Sequence, residues 1–583
     1  MNILFAAGEA APFCKTGGLA DVAGSLPPAL AKNGDKVAVI LPLYGQISDQ
    51  WRKKMTFCRH IYVDLSWRHQ YCGLFSLEYQ GVTWYFVDNE GYFKRGGLYG
   101  EYDDGERFAF FSRAVVALLP CLEDMPEVIH CNDWQTALIP VYLKDAACRE
   151  EKLRRIKTVF TIHNIEYQGR FGAHIVEDLL GLNRNWFDDG TIAMDGDVNL
   201  MKAALMTADQ VTTVSPTYAR QLHHSFYAHG MESVIGRIDG KLTGILNGLD
   251  TVSYDPAHDG AIAQHYTPDD LRGKAACKAA LQKQLGLAEE KDTPILSVVS
   301  RLVGHKGLDL ICEVFDGIMD CGVQLVVLGQ GEAQYEDFFR YQAGRYPGRV
   351  AACITYSDSL ARQIYSGSDL FLMPSKSEPC GLSQMIAMRY GTVPIVREAG
   401  GLKDTVHAYE AWRDAGNGFS FANYASGDML YVIREAVQLY KENPDAFDRL
   451  RKRAMAGDFS WARSAKEYLR IYAGITGQTW PVPAPAAEEP AVTAFAEEKP
   501  EAAAPEEIPA EKPKKKTVRK TAAKKAENPE KAEKKAEKPE KKTVKKAAAK
   551  KEPAKKDTEK KETPKKETKK KGPAKSKKED QAE

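Results

Sequence analysis

"NILFAAGEAAPFCKTGGLADVAGSLPPALAKNG", residues 2–34, is the stretch on which the fold turns. Its first residues form a short apolar run of the kind that makes a buried strand, and a loop carrying two adjacent glycines follows. "LADVAGSLPPALAKNG" then reads as a helix, with Pro27 and Pro28 expected to break or kink its middle. Strand, glycine loop and helix in that order make the first half of a βαβ unit. The same rhythm recurs in "KVAVILPL", "VIHCN", "TVFTIHN" and "QVTTVS", each separated by longer amphipathic stretches, up to about Asn247. After a less regular connector it restarts with "PILSVVSRL", "VQLVVLG", "VAACITY", "DLFLMPS" and "TVPIVRE". The expectation is an α/β chain of two doubly wound domains, residues 1–247 and 248–458, each built on a parallel sheet covered on both faces. Within 459–480, "FSWARSAKEYLRIYAGITG" has apolar positions at helical spacing and no strand after it, as a closing helix packed on one of the domains would.

Beyond Trp480 the composition changes. Residues 481–583 hold one aromatic, Phe495, and consist mainly of Ala, Pro, Glu and Lys, too poor in apolar bulk to offset the entropy of ordering, so this tail is expected to be disordered. The overall charge of +1 conceals a polarity: the tail carries 31 basic against 21 acidic residues, and residues 1–480 carry 49 against 58. The basic end reads first as a solubilising spacer and second as an arm for weak binding of nucleic acid or another polyanion by counterion release, without aromatics for stacking. All eleven cysteines lie between Cys14 and Cys380 with no CxxC pair or zinc spacing, which suits reduced thiols and suggests no metal site. The opening has no basic segment ahead of an apolar run, and no window approaches about eighteen apolar residues, so a cytoplasmic, non-membrane protein is expected.

The loop "KTGG" places Lys15, Gly17 and Gly18 at a helix N-terminus, where free N–H groups, the helix dipole and a full charge favour an anion such as a phosphate. An ordinary glycine turn with a solvated lysine fits this short motif equally well. The spacing is not G-x-G-x-x-G, and no G-x-x-x-x-G-K-[ST] occurs, which counts against nicotinamide dinucleotide chemistry and P-loop hydrolysis. In the second domain, "SRLVGHKG" sets Arg301 and Lys306 across a strand-to-helix loop, where two cations could neutralise a diphosphate or pair with surface carboxylates. "SKSEPCGLSQMIAMRYG" places Glu378 in a loop and Gly381 near a helix start, a position that also suits simple capping. Asp133 sits where a strand gives way to a helix, and capping is its plain reading. His163, at a strand end, reads equally as a core histidine, and Cys380 as a packing residue. The D-x-D at Asp195 and Asp197 follows no apolar strand and is discounted as a metal motif.

Seven phrases in order, "KTGGLADVAGSLP", "HCNDWQTALIP", "TIHNIEYQG", "ADQVTTVSPTYA", "NGLD", "SRLVGHKGLDL" and "SEPCGLSQMIAMRYGT", resemble bacterial glycogen synthase and plant starch synthase. The resemblance spans about Met1 to Gly477. It implies two Rossmann-like domains facing a cleft, the GT-B architecture, with no cofactor or metal, and transfer of glucose from ADP-glucose to the non-reducing end of an α-1,4-glucan with retention. By motif position it implies that Lys15 and Gly18 contact the donor phosphates or the growing glucan end and that Asp21 belongs to the donor site. It further implies that Arg301 and Lys306 hold the departing diphosphate, and that His163 and Asn247 line the glucose pocket. Asp133 then belongs to the cleft, and Glu378, Cys380 and Gly381 grip the sugar. Related retaining enzymes often carry two glutamates in this last motif, but the second place here is Ile386, which favours front-face displacement over a mechanism that needs both carboxylates. Two alternatives stay open: another retaining transferase, using UDP-glucose, and an inactive transferase body that binds polyanions through its tail.

Overall fold

Each run of Val, Ile and Leu noted above becomes a strand buried on both faces, the pattern a parallel sheet imposes when helices cover both of its sides. The computed structural model describes residues 1–480; the tail expected to be disordered, 481–583, lies outside the described residues. Its first sheet uses β1 (Asn2–Ala6), β2 (Lys36–Pro42), β3 (Thr56–Leu65), β4 (Arg68–Tyr79), β5 (Val82–Asp88), β6 (Val128–Asn132) and β7 (Lys157–Ile162). A small three-stranded sheet follows, of β8 (Arg170–Gly172), β9 (Ala193–Met194) and β10 (Asp197–Asn199), before β11 (Gln210–Thr213) and β12 (Leu242–Gly244) complete the first. The nine strands run in the order β12-β11-β7-β6-β1-β2-β5-β4-β3. β1 lies near the centre, its Leu4 opposite Ala38 on one side and Ile129 on the other. Only β4 breaks the parallel pattern: it is antiparallel to both β3 and β5, so the sheet is mixed at that edge.

The second sheet has six parallel strands, β13 (Ile295–Val299), β14 (Gln324–Leu328), β15 (Val350–Cys353), β16 (Leu370–Met373), β17 (Val393–Arg397) and β18 (Phe419–Phe421), in the order β15-β14-β13-β16-β17-β18. The short edge strand β18 had no sequence signal beyond its two phenylalanines. Between the sheets the chain crosses twice, and the crossings touch: Leu249 N–H donates to the Phe459 carbonyl at 2.6 Å. The helix Trp461–Thr476 then returns to the first sheet, where Tyr472 Oη lies 2.7 Å from His130 Nδ1 and Ser464 Oγ donates to the Leu246 carbonyl at 2.6 Å.

The first helix corrects one expectation. It runs unbroken from Gly18 to Ala31 through Pro27 and Pro28, both buried. Proline's fixed φ near −65° is itself a helical value, so the loss is confined to two N–H donors, and burial of both rings offsets it.

Candidate functional site

A cleft of about 2640 Å³ opens between the loops that follow the C-terminal ends of strands in both sheets. Open α/β sheets bind ligands at these ends. Lys15, Gly18, Asp21, Asp133, His163, Asn247, Arg301, Lys306, Glu378, Cys380 and Gly381 all line it. Asp195 and Asp197 lie apart from it, as surface carboxylates 3.4 and 3.5 Å from Arg170.

On the first-sheet wall, the loop after β1 does something its sequence does not announce. Glu9, 2% exposed, turns back and accepts from Thr16 N–H and Thr16 Oγ1, both at 2.6 Å, and from Gly17 N–H at 3.2 Å. The anion at these helix-start amides is therefore the chain's own carboxylate. Burial raises the Glu9 pKa despite those donors. Gly18 has open space where a side chain would stand, which leaves its backbone accessible from the cleft. Lys15 Nζ is 2.7 Å from Asp21 Oδ1, so this cation is shared with a carboxylate.

Asp133 follows β6 in a conformation rare for a residue with a side chain, φ 55° and ψ 179°. It caps no helix. Its Oδ1 accepts the His163 N–H at 2.8 Å instead, tying the end of β6 to the end of β7. Burial pushes its pKa up to about 7, against the His163 and Asn164 amides and with help from Glu9. His163 Nε2 is 2.9 Å from Asn132 Oδ1, while Asn132 Nδ2 donates to the Ala6 carbonyl at 2.9 Å. With the Asn132 oxygen thus facing the ring, Nε2 carries the proton. Enclosure lowers the His163 pKa to about 3, so the ring is neutral and its Nδ1, without a partner among the described residues, is an acceptor.

Across the cleft, Arg301 follows β13 and its exposed guanidinium has no ion pair among the described residues. Lys306 Nζ lies 2.6 Å from Glu378 Oε2, which also accepts from Ser375 Oγ at 3.1 Å. His305, between the two cations, has its pKa lowered by burial and then by Lys306 and Arg301. The Glu378 loop has almost no room to move. Gly381 stands at φ 75°, and a Cβ there would meet Gln384 Oε1 at 2.4 Å. A Cβ on Gly400 would approach the Glu378 carbonyl oxygen to 2.0 Å, and one on Gly401 the Cys380 carbonyl oxygen to 2.3 Å. Gly400 N–H donates to Gln221 Oε1 at 2.9 Å, and Asp404 accepts from Thr217 N–H at 2.8 Å and Thr217 Oγ1 at 2.5 Å. Residues of the two sheets' layers thus clamp the loop from behind.

The Cys380 thiol is buried and faces the Asn247 backbone N–H; burial pushes its pKa up to about 12, so it is a packed, unreactive sulfur. Asn247 Oδ1 is buried with no partner among the described residues, an acceptor left for a ligand hydroxyl. Ile386, at the place of a second carboxylate, is buried beneath the same loop. Of the supporting residues, Gly400 and Gly401 carried a readable signal: "EAGG" follows a strand, as "KTGG" does. Glu9, Asn132, Gln221 and Asp404 carried none.

The family model described as "Starch synthase catalytic domain" matches residues 2–237, and "Glycosyl transferases group 1" matches residues 282–454. A glycogen synthase of Bacillus cereus is 47% identical over 472 residues, covering 81% of this chain and 99% of that protein. One from Geobacillus thermodenitrificans is 48% identical over 472 residues, 81% of this chain and 97% of that protein. Among solved structures, the catalytic domain of starch synthase IV from Arabidopsis thaliana, bound to ADP and acarbose, is similar with a TM-score of 0.76 and 34% identity, over 82% of this chain and 99% of that one.

Proposed function

Because the chain belongs to the family of bacterial glycogen synthases and plant starch synthases, with the GT-B fold of two α/β lobes, we propose that it transfers glucose from ADP-glucose to the non-reducing end of an α-1,4-glucan, retaining the anomeric configuration. The observation that carries the residue-level reading is convergence. Eleven residues from loops spread over more than 360 positions line one cleft, among them three cations, Lys15, Arg301 and Lys306, and the acceptors of His163 and Asn247.

Breaking the bond from glucose C1 to the diphosphate oxygen builds negative charge on the leaving group. Arg301, which has no ion pair among the described residues, and Lys306 take that charge in this reading. Lys306 is then shared between diphosphate and Glu378, so donor binding loosens the Glu378 carboxylate toward the sugar it holds in the oxocarbenium-like transition state. His163 Nδ1 and Asn247 Oδ1 accept sugar hydroxyls, and Gly381 lets the loop backbone approach the ring. Ile386 offers no second carboxylate, which supports front-face displacement: the acceptor 4-hydroxyl bonds to C1 as ADP departs, and its proton passes to the leaving phosphate oxygen. Asp133 stays on the acceptor wall. Among the described residues no helix is long and apolar enough to cross a membrane, and we place the enzyme in the cytoplasm. Residues 511–583, with 30 basic against 14 acidic side chains, give it weak salt-sensitive binding to polyanions.

The test is incorporation of labelled glucose into glycogen from ADP-glucose and, separately, UDP-glucose, with EDTA present and Glu378→Ala as control. Incorporation from ADP-glucose that falls at least a hundredfold in the variant is expected. Absence of transfer from ADP-glucose, or an unimpaired variant, overturns the reading.

A further inference from the structure

Arg397, the last residue of β17, is buried, and among the described residues no carboxylate pairs with it. Its sequence neighbour Glu398 turns instead to Lys403, at 3.0 Å, and to Ser420 Oγ. A guanidinium enclosed without an anion is costly unless neutral acceptors surround it. Arg397 Nη1 donates to the Lys376 carbonyl at 2.9 Å and to the Ser375 carbonyl at 3.4 Å, and its Cζ lies 5.5 Å from the centroid of the Tyr424 ring. Ser375 is buried as well, and its hydroxyl donates to Glu378 Oε2 at 3.1 Å. The cation thus fixes the main chain of the residue that holds the Glu378 carboxylate.

The other arm of the guanidinium reaches the opposite lobe. Its Nη2 donates to Tyr227 Oη at 3.3 Å. Tyr227 belongs to the short helix Ser225–Ala228 on the first-sheet side, and that segment is tied down just beyond its end. There the His229 carbonyl accepts from Gln168 Nε2 at 3.0 Å, and Gln168 Oε1 accepts from Asn199 Nδ2 at 2.7 Å. Gln168 lies in the loop that His163 begins. Beside Tyr227, the Phe226 ring centroid is 5.3 Å from Lys376 Nζ. Two consecutive rings of one lobe therefore meet two cations of the other, one within the Glu378 loop and one beneath it.

We propose that Arg397 is a positioning residue for the transfer step: with Tyr227 docked on it, it sets the Ser375–Lys376 backbone and so the direction of the Glu378 carboxylate. The inference rests on the transferase reading above. Neither Arg397 nor Tyr227 lines the cleft, so both act on turnover through the loop and not by touching substrate. The guanidinium is planar, with its donors at fixed angles, so a shift of Tyr227 is passed on to the loop carbonyls; a lysine ammonium would absorb it by rotating. Glu378 Oε2 is held by Lys306 and Ser375 alone. Once Lys306 is shared with the departing diphosphate, Ser375 is the remaining hold on the carboxylate, and Arg397 governs Ser375.

Full-length Tyr227→Phe, Arg397→Lys and the double variant are compared with wild type by two-substrate kinetics, by the Tm, and by amide hydrogen exchange across residues 375–378. Tyr227→Phe removes one acceptor from Arg397 and should lower kcat about three- to tenfold, with KM for ADP-glucose and the Tm as in wild type. Arg397→Lys keeps the charge, loses the fork, and should lower kcat about tenfold or more, again with KM for ADP-glucose unchanged. Adding Tyr227→Phe to it should cost nothing further, because both changes break one connection. Exchange across 375–378 should quicken at least twofold in each variant. Losses that multiply in the double variant, a raised KM with kcat intact, or wild-type exchange in Tyr227→Phe would overturn the proposal. If Arg397→Lys does not fold, Tyr227→Phe decides through the same kcat, KM and exchange readings. Wild type that transfers no glucose would instead overturn the transferase reading, and the exchange measurement would still judge the link from Tyr227 to the loop.

Discussion

Replacing Asp133 with asparagine should make the protein's stability less dependent on pH. The folded chain raises this carboxyl to about 7 from an ordinary 3.8, with burial the leading cause. The sign follows from proton counts. Below about pH 4 both folded and unfolded states hold the proton, and Asp133 costs nothing extra. Between 4 and 7 the unfolded chain releases it while the folded chain keeps it, so stability falls as pH rises, and above 7 the full penalty persists. Three units correspond to an upper bound of about 4 kcal/mol, and access from the cleft reduces this to roughly 2 kcal/mol. Asparagine cannot ionise, and its oxygen can still accept the His163 N–H seen at 2.8 Å. Its amide hydrogens introduce a cost of their own, but that cost is the same at every pH. The informative quantity is therefore a double difference: the Tm of Asp133→Asn minus wild type, at pH 8 and at pH 4.5. It should be more positive at pH 8 by several degrees, the size expected for a change of roughly 2 kcal/mol. An equal difference at both pH values would refute the raised pKa. Asp133→Gly relieves the φ 55° backbone by about 1–3 kcal/mol but leaves the His163 N–H without its acceptor at a similar cost, so its Tm at pH 8 should fall close to that of Asp133→Asn.

Gly401→Ala places a methyl 2.3 Å from the Cys380 carbonyl and must displace the Glu378 loop; kcat should fall about tenfold or more with secondary structure intact, as steady-state rates and circular dichroism will show. Lys15→Ala leaves Asp21 without its partner at 2.7 Å and removes a charge from the cleft, and kcat/KM should drop by the equivalent of about 1–3 kcal/mol, chiefly through KM for the glucan; unchanged kinetics would remove Lys15 from the site. Asp404→Ala strips the acceptors from Thr217 N–H and Oγ1 and should lower stability by about 1–3 kcal/mol, read as a Tm decrease, with a loss of turnover because the clamp behind Glu378 loosens.

What could be read from the sequence depended on how far apart the interacting groups lie. The strands announced themselves because double-sided burial demands continuous Val, Ile and Leu. The candidate residues were visible because strand-end loops are short, so Asp133, His163, Arg301 and Glu378 each fall a few positions beyond an apolar run. The antiparallel ribbon of β3 and β4 was not, since its outward face carries aromatics where solvent-facing positions normally carry charge. Nor was the hydrogen bond from His163 Nε2–H to Asn132 Oδ1, which spans 31 positions and joins neighbouring strands whose pairing only the fold fixes. It decides the tautomer of the histidine, so the chemistry at this position was hidden although the residue was not.

The glycine loop shows how the two walls divide the labour. A helix start after "KTGG" offers amides to an anion, yet Glu9 already occupies those of Thr16 and Gly17, and Asp21 neutralises Lys15. With Asp133, these loops set three carboxyl groups around Lys15, and burial raises the pKa of both Glu9 and Asp133. A diphosphate entering there would meet occupied donors and nearby acids. On the opposite wall Arg301 has no ion pair among the described residues, and Lys306 faces a single carboxylate. The proposed transferase reading then assigns the anionic donor to the second-sheet wall and the uncharged glucan, whose hydroxyls need partners, to the acceptor-rich first-sheet wall. On this argument the glycine pair serves chiefly to keep the backbone low where the sugar passes. Gly18→Ala, which fills open space without touching another residue, should accordingly raise KM for glucan more than KM for ADP-glucose, and the reverse order in a two-substrate kinetic analysis would return the loop to the diphosphate.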